Sequence, residues 1–199
     1  MSELTWEDAR GGAGLRVTVP VAMSPDQAAR DLAPRLSALA GERAPASSHG
    51  EGARAQRAVP VVTIDGYSGS GKSTLAAALA RLVDGWQVLH LDDWYPGWDG
   101  LAEGAHIARR IAADLRGGRA SSYEAWDWEN GRTGVMISVP LAPTIIEGCG
   151  AIDAEADLSV WIADPGEDER RARALARDGQ TYAPHWQRWA DQDLGRSLP

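Results

Sequence analysis

The rhythm of apolar and polar positions changes near residue 58. Beyond it, short β-branched runs alternate with stretches in which apolar residues recur every three or four positions. "VPVVTID" (59–65) is almost unbroken in its apolar character, the pattern of a strand buried on both faces. "KSTLAAALARLVDG" (72–85) follows with helical spacing, which places Leu75, Leu79 and Leu82 on one face and Gly85 as the stop. "WQVLHL" (86–91) predicts a second strand, "LAEGAHIARRIAADLRGG" (101–118) a helix, and "PTIIEG" (143–148) and "LSVWIAD" (158–164) two more buried strands. "GEDERRARALARDG" (166–179) is a strongly charged helix and "PHWQRWADQDL" (184–194) another. "GVMISV" (134–139) has the composition of a strand but no evident place. Strands alternating with helices predict a three-layer α/β fold, a parallel sheet flanked by helices.

Before residue 58 the pattern is different. "LRVTVPV" (15–21) predicts a short strand. "SPDQAARDLAPRLSALAG" (24–41) predicts a helix with Ser24 as N-cap, Pro25 in the first position and Gly41 as the stop. Pro34 inside it is expected to kink or shorten it. "ERAPASSHGEGARAQR" (42–57) is small, polar and rich in Gly and Ala, so it reads as a flexible linker. The division is therefore an N-terminal arm and linker over 1–58, partly flexible, and a nucleotide-type α/β unit over 59–199.

Charge sharpens this division. Residues 1–58 carry seven basic and seven acidic side chains, so the whole net charge of −8 falls on 59–199. That balance argues against a general nucleic-acid binder. No apolar run approaches the roughly 20 residues of a membrane span. The acidic start "MSELTWEDAR" is unlike a signal peptide. One cysteine, Cys149, allows no intrachain disulfide, and a cytoplasmic location is expected.

The chemistry concentrates between the first strand and helix of the second unit. Gly66-Tyr67-Ser68-Gly69-Ser70-Gly71-Lys72-Ser73 satisfies G-x-x-x-x-G-K-[ST] between a buried strand and a helix, the context a phosphate-binding loop requires. Lys72 is the only lysine in 199 residues, in a chain that otherwise uses arginine. A compact ammonium fits between β- and γ-phosphates where a planar guanidinium does not. Gly66, Ser68, Gly69, Ser70, Gly71, Lys72, Ser73 and Thr74 are the candidate nucleotide contacts, with the Ser73 hydroxyl available to Mg²⁺. Ligands of open parallel sheets bind at the carboxyl ends of strands, which singles out Asp92, Asp93, Glu147 and Asp164. Asp92 or Asp93 suits proton abstraction from an acceptor hydroxyl; Glu147, on a buried strand, suits Mg²⁺.

Two further features each fit two readings. Trp94 and Trp98, and Trp126 and Trp128, form clusters in polar, loop-like segments; they suit local packing or stacking on a flat substrate. Asp99 and Asp127 beside them are candidates for substrate hydroxyls. Arg170, Arg173 and Arg177 share one helix face, as a solvated face of Glu–Arg pairs or as a lid over a transferring phosphoryl group.

Together, "IDGYSGSGKST", "LDDWY", "YEAWDW", "IIEG" and "RRARALARD" resemble the uridine kinase-like nucleoside kinases of the phosphoribulokinase/uridine kinase superfamily, across roughly residues 59–178. The resemblance implies an ATP- and Mg²⁺-dependent kinase. Asp92 would be the general base on a 5′-hydroxyl, and Ser73 and Glu147 the Mg²⁺ partners. Arg170, Arg173 and Arg177 would be lid arginines, Arg173 acting in catalysis beside Lys72. Asp93, Tyr95, Tyr123, Trp126 and Asp127 would belong to the acceptor side. The short stretch between Asp99 and "YEAWDW" predicts a reduced base-reading hairpin. Homo-oligomers are compatible with the resemblance. Two other readings stand beside it. One is a kinase for a pantothenate-like metabolite or sugar alcohol. The other is a regulatory nucleotide-binding module, although the Asn-Lys-x-Asp motif of GTPases cannot occur where the one lysine is already in the loop.

Overall fold

The computed structural model describes residues 3–8, 14–42 and 58–196. Its centre is a six-stranded sheet. In chain order the strands and helices are β1 (Thr5–Asp8), β2 (Leu15–Val19), α1 (Pro25–Glu42), β3 (Val61–Asp65), α2 (Lys72–Ala80), β4 (Gln87–His90), α3 (Leu101–Arg116), β5 (Ser121–Asp127), β6 (Arg132–Val139), β7 (Thr144–Glu147), β8 (Leu158–Ile162), α4 (Glu167–Tyr182) and α5 (Trp186–Leu194). The strand order is β1-β2-β8-β3-β7-β4, parallel throughout except for β1 at one edge. β5 and β6 form a separate antiparallel ribbon.

Alternation along β3 explains the layers. Val62 and Ile64 join one apolar cluster with Leu32 and Leu36 of α1 and Leu75 and Leu79 of α2. Val61 joins the other, with Ile111 and Leu115 of α3 and Trp186 and Trp189 of α5. A strand apolar at nearly every position is thus covered on both faces. The three-layer α/β architecture expected from the sequence is present. No helix among the described residues is long and apolar enough to cross a membrane.

The sequence sets residues 1–58 apart, but their described part is built into the same core. β2 pairs in parallel with β8 from Leu15↔Leu158 to Val19↔Ile162, and α1 packs on α2 through the cluster above. The expected linker, apart from Glu42, lies outside the described residues. α1 begins as expected, with the Gln27 N–H donating to Ser24 Oγ at 3.2 Å. It runs through Pro34 and Gly41 without a break in its assignment. Leu36 is fully buried. Leu36→Ala is therefore expected to destabilise the whole domain by about 2–5 kcal/mol. Chemical denaturation should show this as a shifted single transition rather than the loss of a separate early one.

Two expectations about single elements are corrected. α2 ends at Ala80, not at Gly85, so Leu82 lies beyond the helix and is exposed while Val83 turns inward. "YEAWDW" is not loop-like: it makes β5, and "GVMISV" finds its place in β6 beside it. The β5–β6 hairpin spans seven and eight residues in its two strands.

Candidate active site

The phosphate loop connects β3 to α2, and its shape depends on glycine at two points. Gly69 has φ +80°, and a Cβ there would lie 2.2 Å from the Arg170 carbonyl oxygen. A Cβ on Gly66 would lie 2.7 Å from Ser70 Oγ and 3.0 Å from the Ile162 carbonyl oxygen. The loop so formed sorts its own donors. The Ser70 N–H donates to the Tyr67 carbonyl at 3.0 Å and the Ser68 N–H to Asp193 Oδ2 at 2.8 Å. The N–H groups of Gly69, Gly71, Lys72, Ser73 and Thr74 have no hydrogen-bond partner among the described residues. Ser70 Oγ is buried and equally unpartnered. Converging free N–H groups at a helix start make an anion cradle, and the orphaned Ser70 hydroxyl adds a sixth donor.

Lys72 Nζ is buried and donates to the carbonyls of Gly66 at 2.8 Å and Tyr67 at 3.1 Å, with Cys149 Sγ at 3.3 Å. Burial alone would lower its pKa, but surrounding negative groups outweigh burial and raise it. The Cys149 thiol, pushed up to about 12 by burial, is neutral near pH 7. Asp193, Glu147 and Asp65 therefore supply that field.

Asp92 lies in the single 3₁₀ turn, Leu91–Asp93, that follows β4. Its surface is open on one side while protein crowds the others. Loss of solvation, then the negative charge of Glu147, raises its pKa; Lys72 and Arg177 act the other way. Asp92 thus feels both the loop lysine and one candidate lid arginine. Its backbone carbonyl accepts from Trp128 Nε1 at 2.8 Å, which fastens the hairpin to this turn. Asp93 accepts a long bond, 3.4 Å, from the Tyr123 hydroxyl.

Glu147 ends β7 and is buried, as a costly lone carboxylate would not be. Its partner is His90, the last residue of β4 and its register neighbour: Nδ1 lies 2.6 Å from Oε1. Sequence reading missed His90, although a histidine closing an apolar strand beside Asp92 was the available signal. The hydrogen bond to Glu147 raises the His90 pKa above 6.5, against burial and aided by the charges of Glu147, Asp93 and Asp92. A folded pKa above the unfolded one means that the pair's stabilisation is complete below about pH 6.5. It is lost as pH rises through the folded value. An NMR titration of His90 is expected to give a midpoint above 6.5 that returns towards it in Glu147→Gln.

Several expected ligand contacts have protein partners. Arg170 is 2% exposed, not part of an open lid. Its Nε donates to Asp164 Oδ1 at 2.8 Å and its Nη1 to the Ser68 carbonyl at 3.2 Å. It braces the loop from behind because α4 enters its first turn against it. Arg173 is exposed and paired with Glu169, one helical turn away. Arg177 pairs with Asp178 and, of the three, is the one whose charge reaches Asp92. Tyr95 is 1% exposed, with its hydroxyl donating to the Cys149 carbonyl at 2.7 Å; it is core, not a substrate contact. Asp99 forms an exposed ion pair with Arg188. Asp127 accepts from the backbone and side-chain N–H of Asn130, holding the β5–β6 turn.

The tryptophan clusters divide between the two readings. Trp94 is buried against Tyr123 with ring centroids 4.6 Å apart. Trp98 stacks on His185 at 4.4 Å and on Tyr182 at 5.3 Å. Both are packing. Trp126 lines an open cavity of about 550 Å³ between α3 and the hairpin, whose wall the buried Trp94 shares with Tyr123, Glu103, His106 and Arg110. Beyond His90, the structure adds Asp65, Asp193, Arg196 and Tyr182 to the loop's surroundings. Asp65 ends a buried strand, which marks it in the sequence. Nothing in "WADQDLGRS" revealed that its acid and arginine reach back more than 100 residues.

No family model matches the chain, and no curated protein matches it. Among solved structures it is similar to a possible uridine kinase from Bacillus stearothermophilus, at 19% identity over 84% of this chain and 98% of that one, with a TM-score of 0.42. It is also similar to a proposed fructose transport system kinase from Silicibacter sp. TM1040, at 20% identity over 89% of this chain and 97% of that one, with a TM-score of 0.49. Neither similarity assigns a reaction to this chain, whose chemistry is read from its own site.

Proposed function

We propose that the chain is an ATP-dependent kinase of a small molecule. It moves the γ-phosphoryl group of ATP to a hydroxyl, and a uridine- or cytidine-like 5′-hydroxyl is the acceptor we favour. The observation that carries this reading is the meeting of two things at one end of the sheet. One is a loop with five free N–H groups and a buried ammonium. The other is a carboxylate, Asp92, close enough to feel that ammonium.

Phosphoryl transfer asks the protein mainly for positioning and for stabilisation of charge. The free amides of residues 69 and 71–74 hold the polyphosphate. Lys72 leaves its three internal contacts to lie along it. Asp92 takes the proton of the acceptor hydroxyl, and Arg177 is the cation placed to offset charge developing near it. The donor set fits Mg²⁺. Ser73 offers a hydroxyl at the helix start, and Glu147 has a second oxygen, Oε2, with no partner among the described residues. Among the described residues no three His, Cys, Asp or Glu gather into a metal site of their own. When bound, Mg²⁺ neutralises the β- and γ-phosphate oxygens. The cavity beside Trp126 is the acceptor pocket, with Tyr123 linking it to Asp93.

One observation favours a second acceptor class. Glu103 and Arg110 put charge on the cavity wall, with His106 beside them, which suits a charged or polyhydroxylated metabolite better than a neutral base. The experiment is to incubate the protein with Mg²⁺-ATP and a mixture of nucleosides, pantothenate and sugar alcohols. Phosphorus NMR then identifies the phosphorylated carbon. A nucleoside 5′-phosphate supports the first acceptor and a metabolite phosphate the second. ATP bound without any phosphorylated product moves the assignment to a regulatory nucleotide-binding module.

A further inference from the structure

We propose that Asp193 and Arg196, at the end of α5, are positioning residues of the phosphate loop. They set its shape for nucleotide from outside the motif. This rests on the nucleotide reading above.

Asp193 is fully buried. Its Oδ2 accepts from the Ser68 N–H at 2.8 Å and from the Cys149 thiol at 3.4 Å; its Oδ1 lies 2.7 Å from Arg196 Nη2. Arg196 also donates from Nη1 to Asp65 Oδ2 at 2.7 Å and from Nη2 to Asp65 Oδ1 at 3.2 Å. Asp65 in turn accepts from the N–H groups of Gly66 at 2.6 Å, Gly150 at 3.0 Å and Ile152 at 3.0 Å. One network thus fixes the loop where it leaves β3 and again at its third residue. It stops there: the next donors, at 69 and 71–74, have no partner among the described residues.

A carboxylate beside a phosphate site repels the ligand unless its charge is spent. Here it is spent. Two buried acids, Asp65 and Asp193, share one buried arginine, and Lys72 offsets the remaining negative charge. Ser68 is therefore capped by the protein, not by phosphate, and the cap excludes it from the cradle. α5 is not a loose end. Gln192 Nε2 donates to the Trp98 carbonyl at 2.7 Å, and Arg188 pairs with Asp99. The helix that shapes the nucleotide loop therefore also grips the segment after Asp92 and Asp93.

Amide exchange followed by NMR tests this in the wild-type protein. Without nucleotide, the Ser68 N–H is expected to be strongly protected while those of 69 and 71–74 exchange fast; ADP then protects the latter. Ser68 exchanging as fast as its neighbours would overturn the proposal. Calorimetry with ADP is the second arm. Asp193→Ala is expected to weaken ADP binding at least tenfold and to raise KM for ATP far more than it lowers kcat. Asp193→Asn, which keeps a carbonyl oxygen for Ser68, is expected to recover most of the loss. Unchanged or tighter ADP binding by Asp193→Ala overturns the proposal, and tighter binding makes the carboxylate a competitor of phosphate instead. If Asp193→Ala does not fold, the exchange measurement decides alone. Amides at 69 and 71–74 that ignore ADP while Ser68 stays protected overturn the nucleotide reading itself, and this role with it.

Discussion

Lys72→Arg is expected to reduce phosphoryl transfer about 10²–10³-fold, the scale of losing one well-placed electrostatic donor. The substitution keeps the charge, so sequence conservatism alone would forecast little effect. The slot forecasts otherwise. Nζ is buried among the Gly66 and Tyr67 carbonyls and Cys149 Sγ at 2.8, 3.1 and 3.3 Å, a space shaped for a point-like ammonium. A planar, wider guanidinium cannot lie there in the free protein or slip from there along a phosphate chain. Lys72→Ala goes further. It leaves the field of Asp193, Glu147 and Asp65 without its cation, at a stability cost of about 3–5 kcal/mol. Steady-state ADP formation measures the first effect, and thermal unfolding separates it from the second. Activity of Lys72→Arg within a few-fold of wild type would refute the assigned role.

Asp92→Asn is expected to lower kcat by about 10²–10⁴, the usual contribution of a general base, while ADP affinity changes less than twofold. Its effect on stability has the opposite sign. Partial loss of solvation, then the charge of Glu147, raises the folded pKa of Asp92 above the ordinary 3.8. The folded state therefore favours the protonated form, and the ionised carboxylate costs stability at pH values above that folded pKa. Asp92→Asn should accordingly raise the melting temperature at neutral pH while turnover collapses. In wild type, the acidic limb of the kcat profile should lie above 3.8, because the base is lost as pH falls through its raised pKa. A melting temperature that falls, or turnover that survives, would show that Asp92 is held for structure.

The parts legible in the sequence are those in which the pattern and its cause are local. "VPVVTID" followed by the loop motif announces a buried strand, a turn and a helix start, and β3, the loop and α2 follow. "YEAWDW" deceived because a two-stranded ribbon buries only one or two residues of each strand. Tyr123 alone in β5 is buried, so the segment lacks the apolar run of an inner strand. The spacing of Arg170, Arg173 and Arg177 correctly put them on one helix, but not what that helix meets. Its first turn presses on the loop and buries Arg170, whereas Arg173 projects away. Glu147 was singled out because a buried carboxylate requires a partner, and that partner, His90, is fixed only by the β4–β7 register. Asp193 and Arg196 were invisible for the same reason: their partners are distant in sequence and adjacent only in the fold.

The central claim is that the loop and Asp92 form one transfer site. Its most direct test is ADP formation from Mg²⁺-ATP by wild type and by Asp92→Asn, each with and without added acceptors. The account predicts turnover that rises with one acceptor class in the wild type and stays at background in the variant, with equal ADP binding by both. Tight nucleotide binding with no acceptor-dependent turnover in either protein would contradict it.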